Sequence, residues 1–270
     1  MKHNVPDHVQ ELLMHAFTRR VFEDSQSVYQ ATGVPGKVLK AELTREPDEY
    51  EFYILRAGNR IAHLLETCRQ LSDAILYLTS FSPSERMKKA GITRHSHLLY
   101  TIENFIIRTS TLYDRALKLV DAVFHLCNDP KECRHNTILK NAHVERTPVP
   151  DRMKALRKVV DKYLQDRNSI IHHEAYQDNQ LRILEMYVLL QRELKLAGAE
   201  PSEELQDLPE LTKDMIYEIV WVKTREFEKF NTEIFSRVVD LLSELDSEYL
   251  RQKQRLLQLC GHGEHYAPTG

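Results

Sequence analysis

Glycine and proline are scarce, 8 and 10 in 270 residues. With Leu, Glu, Lys and Arg abundant, that shortage favours helices over strands. No apolar run approaches the roughly 20 residues that cross a bilayer, and the N-terminus has no signal-peptide apolar segment. A membrane protein is therefore not expected. Cysteine is sparse too: Cys68, Cys127, Cys133 and Cys260 are scattered, which reads as reduced thiols in a cytoplasmic protein rather than a disulfide framework. Excess charge of one sign is missing. Lys and Arg total 37 against 40 Asp and Glu, a net charge of −3, so no global basic field selects nucleic acid. Also missing are a phosphate-cradling glycine loop, a strand to launch one, a Gly-x-Ser-x-Gly elbow, internal repeats and low-complexity tracts.

What the chain does have is helical periodicity. Its length allows one large domain or two small ones, with an ample core and no need of staples. Pro6 to about Gln30 reads as a first helix with Val9, Leu12, Leu13 and Phe17 on its apolar face. Thr32 to Gly36 breaks it, and Val38 to Leu43 is a candidate brief extended segment. Asp48 to Thr79 keeps a seam through Ile54, Ala57, Ile61, Leu64, Cys68, Leu71, Ile75 and Leu78. His97 to about Leu126 keeps another through Ile102, Phe105, Ile106, Leu112, Ala116, Leu119, Val123 and Leu126, ended by Asn128-Asp129-Pro130. Further helices are predicted from near Asp151 to Tyr176, from Gln180 to Leu196, and from Thr212 to Leu259. The fold class is all-α, a bundle of long antiparallel helices. Residues 1–45 are read as an N-terminal helix and arm, 46–259 as the bundle, and 260–270 as a flexible tail.

One helix breaks its own pattern. Leu156, Val160 and Tyr163 recur at helical spacing, Arg167 holds the next seam position, and Ile170 and Ile171 resume it. Arginine is almost never fully buried unless paired, so Arg167 must face a partner, a ligand or a wet cleft. Asn168, His172 and Tyr176 follow at intervals of four, a polar ridge on one flank.

Arg167-Asn168-Ser169-Ile170-Ile171-His172 resembles the signature of the HEPN superfamily, an arginine, a polar residue, three positions and a histidine. Leu98 to Arg108, running on into Leu112 to Leu119, is similar to a long-chain, Cthe-type bacterial subgroup. The resemblance implies a HEPN-like bundle and a metal-independent endoribonuclease. Its site would be composite, formed where the motif helices of a homodimer meet. Arg167, Asn168 and His172 would be catalytic: His172 as acid and base, Arg167 on the phosphate, Asn168 in support. His173 and Tyr176 would stand behind them. RNA would be the substrate, in a defence or toxin role with a possible antitoxin partner. The alternative is a non-catalytic helical module for dimerisation or nucleotide binding. A toxin subgroup carries tyrosine two residues after the histidine; here that place is Glu174, and Tyr176 is the nearest downstream tyrosine.

Other residues have two readings. Glu103 and Arg108 are either salt-bridged surface or lining for the cleft of Arg167. The basic stretch 131–162, with Arg157, Lys158 and Lys162 nearest the motif, is either a solvated face or an approach for a phosphodiester. No cofactor is expected, and no metal. Consecutive helical residues His172, His173 and Glu174 point apart, and Cys127, Cys133 and His135 lack a second cysteine pair.

Overall fold

The structure, a computed structural model, describes residues 7–33, 45–172, 176, 178–198, 202 and 205–261. Helices dominate: α1 Asp7–Met14, α2 Ala16–Thr32, α3 Glu49–Thr79, α4 Glu85–Lys89, α5 Arg94–Val123, α6 His135–Leu139, α7 Ala142–Glu145, α8 Val149–Val160, α9 Leu164–His172, α10 Asn179–Ala197 and α11 Leu208–Leu259. Among the described residues there is no strand, only an isolated bridge position at Gly33. The extended segment expected at Val38 to Leu43, and the tail from His262 onward, lie outside the described residues.

The first of two compact units comprises residues 1–69, 111–159 and 233–270. Its core stacks Tyr53 against Tyr249 at 5.6 Å, with Phe17 edge-on to Tyr249 at 5.8 Å. Both phenols are buried, and each finds an acceptor: Tyr53 donates to the Val123 carbonyl (3.0 Å) and Tyr249 to Asp24 (2.9 Å). Gly58 permits a close crossing, because a Cβ there would sit 2.2 Å from Ser25 Oγ. A reciprocal cap starts α3. The Glu51 amide donates to Asp48 Oδ1 (3.0 Å), and the Asp48 amide donates back to Glu51 Oε2 (3.1 Å). Arg45 grips the same carboxylate in a fork at 2.6 and 2.7 Å.

The second unit comprises residues 70–110 and 160–232. Phe105 and Phe227 stack with nearly parallel rings, centroids 3.6 Å apart, and Tyr163 meets Phe230 at 5.0 Å. Asn231 donates to the Leu71 carbonyl inside this core (3.2 Å). Gly198, at φ +60°, closes α10 in the left-handed conformation that L side chains avoid. On the outer side of α11 the single tryptophan, Trp221, is 57% exposed, with the Arg225 guanidinium 4.1 Å above its ring.

The helices differ from expectation in three respects. The first expected helix is two helices, α1 and α2, because His15 leaves the helical region (ψ 138°) and caps α2, its Nδ1 accepting from the Phe17 amide. The short α4, α6 and α7 are too brief to carry a periodic signal. The helix expected from Asp151 to Tyr176 is split by a 3-10 turn, Asp161–Tyr163, into α8 and α9. A 3-10 turn winds more tightly than an α-helix, so the face that α8 buries is not continued along α9. No residue of α9 is buried. The motif, read from sequence as facing a partner, a ligand or a wet cleft, sits near the end of a helix on an accessible face.

Candidate functional site

Arg167 is half-buried on α9, and His172 is exposed at its last residue. Arg167 Nη1 donates to Asn168 Oδ1 at 2.9 Å, so the polar residue of the motif holds the guanidinium. Arg167 Nε is buried, and no acceptor meets it among the described residues. Around this half-engaged guanidinium the apolar side chains are bare: Leu164 is 41% and Ile171 44% exposed. His173 and Glu174 lie outside the described residues.

Behind the motif is a polar network that the sequence did not advertise. Lys223 of α11 is 8% exposed. Its ammonium donates to Glu226 (3.0 Å) and to the Tyr176 hydroxyl (3.1 Å), and lies 3.5 Å from Asp178. Burial opposes its charge, yet Tyr176 and Glu226 raise its pKa above the ordinary lysine value. Tyr163 donates to the other Glu226 oxygen (2.7 Å); burial, then Glu226, push its phenol pKa up. Burial also raises the Tyr176 phenol and the Asp166 carboxyl, in both cases against the pull of Lys223. Asp178 caps α10, accepting from the amides of Gln180 and Leu181. One buried lysine thus fixes Tyr176 and the α10 cap in the chain that follows the motif.

The predicted residues fall into two groups. Tyr176 and Glu103 come together: the Tyr176 amide donates to Glu103 Oε1 at 2.8 Å. Among the described residues, Glu103 takes that bond and not one from Arg167. Arg108 donates to Gln70 on the boundary of α5. Arg157, Lys158 and Lys162 are exposed. Lys223, Glu226, Asp178 and Asp166 were missed. The one available signal was Lys223 on the α11 stripe, four residues after Ile219 and four before Phe227.

The histidine and cysteine pattern at 127–135 is also rearranged. Tyr113 engages His135, and Cys133 contacts the Asp129 carbonyl at 3.6 Å. Among the described residues the group close enough to share an ion is Glu49, His125 and Cys127, in the first unit.

An all-helical chain carrying an arginine, an adjacent polar residue and a histidine at the end of an accessible helix has the features of the HEPN class. The model of the Cthe2314-like HEPN family matches residues 14–224, and the chain belongs to that family. The match begins within the segment read from sequence as an N-terminal arm and ends inside α11. No curated protein and no solved structure matches the chain.

Proposed function

We propose that the protein is a metal-independent endoribonuclease of the HEPN type, active as a homodimer in the cytoplasm in a defence or toxin role. The observation that carries this reading is the Arg167–Asn168 pair on an accessible helix face, with His172 five residues on from the arginine. RNA brings its own nucleophile, so the protein must move protons and stabilise charge. One imidazole removes the 2′-OH proton. The 2′-oxygen bonds to phosphorus as the bond to the 5′-oxygen breaks, and a proton passes to that leaving oxygen. The products are a 2′,3′-cyclic phosphate and a 5′-hydroxyl. Histidine suits proton transfer near neutral pH, and the arginine fork suits the phosphate. The guanidinium of Arg167, half-buried and tied to Asn168, would meet a phosphate oxygen through its amino groups.

The dimer is supported by the bare apolar side chains that flank the motif. Leu164 and Ile171 leave 41% and 44% of their surface exposed. Apposed α9 helices would cover them and assemble two Arg167 and two His172 around one cleft. Arg157, Lys158 and Lys162 would attract the backbone electrostatically, and an antitoxin would act by covering the α9 face.

The test is cleavage of 5′-labelled RNA in EDTA, with product ends identified by phosphatase sensitivity. Cyclic phosphate ends are expected. No cleavage by the folded dimer would leave the other reading, a dimerisation or nucleotide-binding module. Activity lost in EDTA and restored by Mg²⁺ would overturn metal independence.

A further inference from the structure

The end of α5 gathers three metal-binding side chains that the proposed RNA chemistry does not use. His125 Nε2 lies 2.7 Å from Glu49 Oε1, and His125 Nδ1 lies 3.9 Å from Cys127 Sγ. A carboxylate oxygen, an imidazole nitrogen and a thiol sulfur are all within 4.8 Å of one another. Bonds of about 2.0–2.3 Å to a tetrahedral Zn²⁺ set the donors roughly 3.3–3.8 Å apart. A single ion takes one imidazole nitrogen, and side-chain rotation brings the carboxylate oxygen and the sulfur to it from within 4.8 Å.

The backbone is committed to this presentation. The His125 amide donates to the Ala122 carbonyl and the Leu126 amide to the Asp121 carbonyl, the paired bonds that end a helix on a left-handed residue. Glycine usually fills that position. Here it is His125, at φ 54°, and Cys127 is left-handed as well, at φ 56°. L side chains rarely adopt that conformation, so each position is strained relative to glycine. Nothing in helix termination calls for an imidazole and a thiol at two such positions.

The sulfur is also held from outside. Arg56 Nη1 donates to Cys127 Sγ at 3.1 Å, while its other amino group pairs with buried Asp121. Asp121 in turn accepts from the Asn128 amide (3.3 Å) and side chain (2.7 Å). Hydrogen-bonded outer partners of this kind orient metal ligands. Cys127 and Arg56 line an open cavity of about 480 Å³, which gives an ion a path in. The charges balance, since thiolate and carboxylate neutralise a divalent ion and Arg56 is already matched by Asp121. Mixed sulfur, nitrogen and oxygen donors select Zn²⁺ over Mg²⁺ or Ca²⁺.

We propose that Glu49, His125 and Cys127 bind one Zn²⁺ per chain, with water in the fourth position, clamping the start of α3 to the end of α5. The site stands independently of any nuclease activity. The probe is Co²⁺ added to chelator-stripped full-length protein. One equivalent is expected to give a thiolate-to-metal charge-transfer band that Zn²⁺ abolishes by displacement. Cys127→Ser should lose the band, Cys133→Ser should keep it, and Glu49→Gln should weaken Zn²⁺ binding at least about tenfold. His125→Gly guards against misfolding as an explanation. It relieves the left-handed strain, so its metal-free melting temperature should equal or exceed that of wild type while Zn²⁺ no longer raises it. Absence of stoichiometric Co²⁺ binding, or a band that survives Cys127→Ser, overturns the site.

Discussion

Arg167 and His172 divide the proposed chemistry, and each substitution has its own expected signature. His172→Ala should slow RNA cleavage about 10²–10⁴-fold, the scale of lost acid–base help. Arg167→Lys should fail comparably, because a point charge cannot reproduce the guanidinium fork or its bond to Asn168. Both sit on a helix with no buried residue, so urea unfolding should barely change. Full activity in either folded variant refutes its role. Lys223 should behave in the opposite way. Lys223→Met removes the buried cation from between Asp178 and Glu226 and should cost about 1–3 kcal/mol in urea unfolding. An unaltered midpoint would mean the network does not hold the chain after the motif. The motif arginine was legible in sequence because it interrupts an apolar series. Lys223 interrupts a series in the same way, but lysines on long helices are usually solvated, and only the fold reveals the carboxylates and phenol around it.

Among the elements, α3 has the best-defined start. Asp48→Ala removes one half of its reciprocal cap and should destabilise the protein by about 1 kcal/mol. Burial acts to raise the Glu51 carboxyl pKa, but the Arg45 fork and the Asp48 amide together outweigh it and set the net value below the ordinary 4.5. The contribution of Glu51 is thus present above pH 4.5 and lost as pH falls below it. Glu51→Gln should flatten that acid limb of a stability–pH curve; an unaltered limb would exclude the pair as its source. The seams of α3, α5 and α11 were legible because dozens of residues repeat one period. The break between α8 and α9 was not. Its apolar residues keep helical spacing straight through the 3-10 turn, so the register change leaves no trace in the pattern.

For the molecule as a whole, two behaviours follow. Burial lowers the pKa of His15, His63 and His95 below the ordinary 6.5. The unfolded chain then takes up protons first on acidification. Stability should be complete above pH 6.5 and decline from there downward, before the Glu51 limb begins. Urea midpoints that stay constant between about pH 7 and 5 would contradict this. The second behaviour is assembly. Ile171→Glu places a charge on the bare α9 surface and should convert a dimer to a monomer in light scattering, abolishing cleavage with little change in folding. A monomeric wild type that still cleaves RNA would remove the composite site. No helix among the described residues is long and apolar enough to cross a membrane.

The exposed setting of Trp221 has an optical consequence. As the sole indole, under Arg225 and largely in water, it makes intrinsic fluorescence a monitor of one surface of α11 and not of either core. Its emission in the native chain should already resemble that of a solvated indole. Denaturant should therefore move the emission maximum only slightly while the helical ellipticity collapses. Anything that docks on that surface will shift the colour of the protein's fluorescence toward the blue without disturbing a single helix.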